Sequence, residues 1–217
     1  MSLSSTSKRA RSQDQKDARR ADILAGADEH LRVVGFDAFS MASLAKSVSL
    51  AKGTLYLYFQ TKEEVFLALT EYHIDAWSDR LESAIEKGLS DTEFCAIFYR
   101  TSYDESNLIH LMSRLQAVIE HNVSIDALVQ SKRALRNRMM RLSSVVAKNL
   151  SLTDEQAGEI VSTFATLLLG AAQTDQGPNL ENEALPDDVV EFAATFSSQE
   201  FFLINAKRIL RCIREES

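Results

Sequence analysis

The first 177 residues contain no proline, and the only two prolines, Pro178 and Pro186, bracket one polar stretch. Proline lacks a backbone N–H and breaks helix interiors, so a proline-free run of this length leaves helix formation unobstructed. Alanine and leucine, which lose little on entering a helix, recur through it. Apolar side chains return at intervals of three and four residues, and no stretch shows a compelling strand pattern. The expected class is all-α.

Local signals divide the chain into helices. Ile23, Ala27, Leu31 and Val34 make one apolar stripe over about 16–34. Gly35 follows, suited to the left-handed position that ends a helix, with Phe36 folding back on the last turn. Ser40 caps a short helix to about 48, whose inner face is Met41, Leu44, Ala45 and Val48. After a turn at Ser49-Leu50 comes a helix over about 51–59, with Leu55 and Phe59 packing inward against Leu44. Thr61 and Glu64 form a capping box for a long helix to about 87. Ser90 with Glu93 opens another at 91–103. Further helices are expected at 107–121, 124–149, 153–173 (capped by Thr153 with Gln156), 188–196 and 198–214. Residues 174–188 read as a polar loop.

Charge is split along the chain. Residues 1–62 carry 10 Lys/Arg against 6 Asp/Glu, and residues 63–217 carry 14 against 25. A basic end on an acidic protein suits a localised anionic partner. Residues 1–15, with Lys8, Arg9 and Arg11, are poor in apolar side chains and read as a disordered basic arm. They lack the apolar centre of a secretory signal. No apolar run reaches the roughly 20 residues that span a bilayer, so no membrane association is expected. Cys95 and Cys212 lie far apart, as in a reducing cytoplasm rather than a disulfide framework.

The segment 40–62 concentrates the chemistry. A helix-turn-helix lays its second helix in the major groove, and phosphate contacts fix its register. Lys52 offers a charge at the start of that second helix. Gly53 lets the backbone approach closely. Thr54 bonds a phosphate or a base edge. Tyr56 and Tyr58 offer hydroxyls to phosphates and ring edges to thymine methyls. Lys62 sits where charge and helix dipole both favour a phosphate. Ser40 caps the first short helix facing the backbone, and Ser43 completes the candidate set. Each residue alone also reads as a solvated or half-buried surface group; together, in this context, they point to duplex DNA.

This arrangement closely resembles the TetR/AcrR family of transcriptional regulators. The resemblance rests on Ile23-Leu24, Ala27, Gly35-Phe36, the run Ser40-Met41-Ala42-Ser43-Leu44-Ala45, and most on Lys52-Gly53-Thr54-Leu55-Tyr56-Leu57-Tyr58-Phe59 followed by Thr61-Lys62-Glu63-Glu64. It is specific over about residues 18–68. Two positions depart: Ser49 stands where the family usually has glycine, and Ala51 where it usually has a capping serine. The resemblance implies a three-helix helix-turn-helix DNA-binding domain at 16–62 and a helical ligand-binding and dimerisation domain at 63–217. It implies a homodimer paired through helices 153–173 and 198–214. The all-round apolar stretch 160–172 and the pair Phe201-Phe202 fit that independently, or else fill the monomer core. It further implies a ligand-responsive regulator, most simply a repressor, on a roughly palindromic operator, released when an unknown small-molecule inducer shifts the helix that starts at Thr61.

By the same resemblance the inducer pocket lies among helices 90–173. Its candidate lining is Trp77, Phe94, Phe98, Tyr103, His110, Met112, Gln116, Glu120, Asn122 and Phe164, each also readable as core or surface. The four histidines and two cysteines show no metal spacing. No nucleophile motif or glycine-rich phosphate loop is present, so neither cofactor nor catalysis is expected. The competing reading is a helical enzyme or protein-interaction module without specific DNA binding. A weaker variant makes Cys95 an oxidation sensor.

Overall fold

The computed structural model describes residues 4–104, 107–173, 185–194 and 197–215; for residues 4–13 and 193–194 only the backbone is described. Every regular element among them is helical. The chain forms two compact units. Met1–Thr70 and Arg114–Leu128 make the first, here called the head, and Glu71–Ser113 and Val129–Ser217 make the second, the body.

The head begins with α1 (Ser4–Ala38), interrupted at Gly35, whose φ of 73° and ψ of 171° are non-helical. Over residues 4–15 the expected disordered arm is helical instead: α1 is already under way at Ser4, twelve residues before the expected start, while residues 1–3 lie outside the described residues. No proline or glycine interrupts residues 4–25, so nothing local stops the helix. Phe36 does not fold back on its own helix but stacks on Phe66 at 4.4 Å. Next come α2 (Met41–Ser47), α3 (Lys52–Leu55) and the long α4 (Lys62–Ala84). Ile23, Ala27, Leu31, Phe39, Leu44, Leu55, Phe59 and Phe66 form the buried centre of this unit.

Gly26 makes the crossing of α1 and α2 close. A Cβ there would lie 2.4 Å from Val48 Cγ1, too near for any real pair. Sequence alone does not single this residue out, because a glycine inside a helical pattern carries no label for what packs on it.

In the body, α5 (Asp91–Tyr103), α8 (Asp154–Ala172) and α10 (Ser198–Glu215) pack together. α6 (Leu108–Arg114), α7 (Ile125–Leu150) and α9 (Asp187–Ala194) complete the set. The capping boxes read at Ser90/Glu93 and Thr153/Gln156 are both formed. The helix expected at 107–121 is not continuous. After α6 the backbone widens into a π-helical turn at Leu115–Ile119 and tightens into a 3-10 turn at Glu120–Asn122. Most of the polar loop at 174–188 lies outside the described residues.

Ion pairs that sequence spacing did not reveal tie α7 to α4. Arg138 makes a two-bonded pair with Asp75, and Arg141 reaches Asp79 at 2.5 Å and Glu82 at 2.7 Å. Fork-to-carboxylate geometry of this kind fixes orientation as well as charge.

Candidate nucleic-acid interface

Local bonding builds the reading segment. The Ser40 hydroxyl accepts from Ser43 N–H at 3.1 Å, and Ser43 Oγ accepts from Ser40 N–H at 3.1 Å. That reciprocal pair opens α2 and satisfies two donors that a helix start leaves unpaired. Ser43 is also 2.9 Å from His30 Nε2. Its hydroxyl is thus committed inside the head, while Ser40 remains exposed.

α2 ends in a Schellman motif. Ser49 N–H donates to Lys46 O at 3.3 Å, and Leu50 N–H donates to Ala45 O at 2.9 Å. The motif needs a left-handed residue between them, and Ser49 takes it with φ of 53°. The departure noted in the sequence is thus a serine in a glycine conformation, at a cost of about 1 kcal/mol.

The second helix is shorter than the expected 51–59. α3 is one α-turn, and the chain continues to Phe59 in tight turns, with Leu57 N–H on Thr54 O and Tyr58 N–H on Leu55 O. Ala51 caps it with no side-chain bond. Leu44, Leu55 and Phe59 are all buried, the inward side that their spacing predicts.

Lys52 and Tyr56 stand exposed side by side, with the ammonium 5.8 Å from the ring centroid. Thr54 and Tyr58 are half-buried. Gly53 needs no glycine for the fold: its φ is ordinary and a Cβ would meet nothing within 4 Å. A helical glycine costs up to about 1 kcal/mol against alanine, and nothing in the packing around Gly53 calls for it.

Two further residues belong to this surface and went unread in the sequence. Leu57 is 74% exposed between the two tyrosines, and the guanidinium of Arg20 lies 4.8 Å over the Phe59 ring. Leu57 was visible in principle, being the large apolar residue out of step with Leu55 and Phe59. Arg20 was not, since its partner lies 39 positions away.

Lys62 is half-buried at the start of α4. Thr61 Oγ1 accepts from Glu64 N–H at 3.1 Å, but the Glu64 carboxylate reaches Gln60 N–H at 2.7 Å rather than the cap itself.

The body candidates do not come together as one lining. Phe94, Phe98 and Phe164, with Phe202, are completely buried and in mutual ring contact at 5.4–6.2 Å. Trp77 packs edge-on against Phe98 at 5.3 Å. These rings form a core. Tyr103 stacks on Tyr99 at 4.4 Å, and both hydroxyls reach Ser198. His110 is exposed and Met112 half-buried in the body. Gln116, Glu120 and Asn122 belong to the head unit instead. There the guanidinium of Arg114 lies 4.9 Å over Phe36, and Asn122 spends its amide on Val118 O at 2.8 Å.

Burial pushes the Cys95 thiol up to about 12, with the charge of Asp91 adding to it. A thiol so protonated is a poor nucleophile and a poor oxidation sensor. Among the described residues no group of His, Cys, Asp or Glu is arranged to hold a metal, and no helix is long and apolar enough to cross a membrane.

A capped helix, a tight turn and a second helix with exposed Lys, Gly and Tyr define a DNA-binding protein of the helix-turn-helix class. Residues 23–69 match the model of bacterial regulatory proteins of the tetR family, and residues 71–198 match the tetracyclin repressor-like C-terminal domain. The chain belongs to the TetR family of transcriptional regulators, which are non-enzymatic DNA-binding proteins.

Two Bacillus subtilis proteins are similar over shorter stretches. The fatty acid metabolism regulator protein is 28% identical over 83 residues, which is 38% of this chain and 43% of that protein. The HTH-type transcriptional regulator YfiR is 30% identical over 73 residues, 34% of this chain and 36% of its own length. The matched stretches thus span less than half of either relative. The fold is shared more widely. A possible TetR family regulator from Streptomyces coelicolor superposes with TM-score 0.58 at 17% identity, covering 91% of this chain and all of the other. TetR from Acinetobacter baumannii does so with TM-score 0.58 at 14% identity, covering 89% and 95%.

Proposed function

We propose that this protein is a homodimeric, ligand-responsive repressor that binds a roughly palindromic operator in the cytoplasm and leaves it when a small-molecule inducer binds the body. The observation that carries the DNA half is Gly53. It sits on the reading segment beside exposed Lys52 and Tyr56, and neither its backbone nor its packing calls for glycine. Close approach to a duplex explains it. The operator contacts are assigned to Ser40, Lys52, Gly53, Thr54, Tyr56, Tyr58 and Lys62. Ser43 acts mainly through the α2 cap.

The dimer is assigned to α8 and α10. Phe201 and Ile204 are 53% and 51% exposed on α10, an uncovered apolar patch of the kind that marks a protein interface. An isologous pairing there presents two heads to a two-fold operator.

The inducer is assigned to the body around Trp77. Its indole N–H is buried without an acceptor among the described residues, and a ligand carrying a carbonyl or carboxylate oxygen would satisfy it. The signal has three covalent routes to the head: α4 across 70/71, and the chain crossings at 113/114 and 128/129. A ligand that prefers one arrangement of these segments shifts the population of DNA-competent dimers.

The test is operator binding at matched salt. Tyr56→Ala and Lys62→Ala each weaken binding by about tenfold, or about 1.4 kcal/mol, while sedimentation shows the dimer intact. Unchanged affinity in both variants would remove the assignment.

A further inference from the structure

The face of α1 that buries Ile23, Ala27 and Leu31 continues toward the N-terminus past its last buried residue. At about 100° per residue, Lys16, Arg19 and Arg20 fall within about 100° of arc on that same side. Asp14, Asp17 and Asp22 take the remainder of the circumference. Residues 14–22 are all exposed, so this charged continuation is open to solvent. The helix itself begins at Ser4, so its backbone carries this surface well beyond the reading segment.

The stripe starts at the reading segment. Arg20 lies on the ring of Phe59 at 4.8 Å, and Phe59 closes the segment that begins at Lys52. From Arg20 back to Ser4 the helix backbone rises about 24 Å, more than the roughly 12 Å width of a major groove.

We propose that the N-terminal extension of α1 is a second DNA-contacting surface, whose basic stripe lies on the phosphate backbone flanking the half-site read by the head. The proposal rests on the DNA-binding role of the head. Charge complementarity and continuity with the reading segment select the duplex. The acidic body of a second copy is the rival occupant. Phosphate contacts of this kind add affinity and salt dependence without adding sequence preference.

The test uses the full chain and a duplex enriched from a random pool by the wild-type protein, in two lengths. One carries about one helical turn beyond each half-site, and the other is cut flush with them. The variant Lys16→Ala/Arg19→Ala alters two exposed side chains, of which Arg19 makes an open pair with Asp22 at 3.7 Å. Circular dichroism confirms that it keeps its helix content. On the long duplex, the slope of log affinity against log salt becomes shallower by about 0.9 for each phosphate that the variant no longer neutralises, summed over both protomers. On the flush duplex the variant and wild type coincide, and base preference is unchanged on both.

An unchanged slope on the long duplex overturns the proposal, as does an equal loss on both lengths. A variant that changes self-association instead of the slope assigns the face to a second copy, which also overturns it. Failure of the underlying reading looks different: no salt-dependent binding of the enriched duplex by the wild type, and no loss in Lys62→Ala.

Discussion

The reading segment of the head and the aromatic centre of the body treat large apolar side chains in opposite ways. In the body, Phe94, Phe98, Phe164 and Phe202 interlock with no exposure at all. In the head, Tyr56 and Leu57 are left 41% and 74% exposed within four residues of a completely buried Leu55. Burying an aromatic ring or a leucine is worth about 1.5–3 kcal/mol, so leaving two of them out in one short segment sets that segment apart. The four interlocked rings of the body obey the rule and report only stability.

The largest expected effect tests that contrast directly. Phe98→Ala removes the ring that touches Trp77, Phe94, Phe164 and Phe202, and unfolding in denaturant is expected to show a loss of about 3–5 kcal/mol. Operator affinity of the protein that remains folded stays unchanged. A mild loss of stability accompanied by an altered inducer response would instead place Phe98 in a ligand site and break the contrast.

Smaller effects sharpen the head's side of it. Ser49→Gly relieves the left-handed serine and raises stability by about 1 kcal/mol. Ala51→Ser supplies the missing cap of α3 and adds a similar amount, about 1 kcal/mol. Both read as a higher denaturation midpoint at unchanged slope. If Ser49→Gly stabilises the protein while weakening operator binding, the serine is kept for contact with DNA rather than tolerated.

The smallest effect lies in the body and depends on pH. The Ser90 hydroxyl, and then its backbone N–H, hold the Glu93 carboxyl below its ordinary value of 4.5. A depressed carboxylate adds stability above its unfolded value and loses it as the pH falls through the folded one. The advantage of wild type over Glu93→Gln is therefore present at neutral pH and fades as the pH drops below about 4.5. An advantage that stays constant through that range would show the capping contact to be independent of charge.

The helix starts were legible because their signals are local. Ser40, Ser90 and Thr153 each bond a backbone N–H three residues on. The candidate DNA face was legible for the same reason: within 20 residues, Leu44, Leu55 and Phe59 claim the inside and leave Lys52, Gly53 and Tyr56 outside. The inducer lining was not legible. Spacing shows that Phe94, Phe98 and Phe164 face inward, but not whether they meet a ligand or one another.

By itself the sequence determined an all-helical chain, its capped helix starts and a helix-turn-helix at one end. These follow from bonds and packing within a few turns of chain, where residue identity suffices. Only the tertiary structure assigned Arg114–Leu128 to the head, with Arg114 over Phe36. It alone paired Arg138 and Arg141 with α4 and filled the body's centre with four phenylalanines. Apart from Phe94 with Phe98, those contacts join residues about 40–100 positions apart, and over such separations loop closure is nearly indifferent to partner. Packing shape chooses among them, and the linear pattern does not record it.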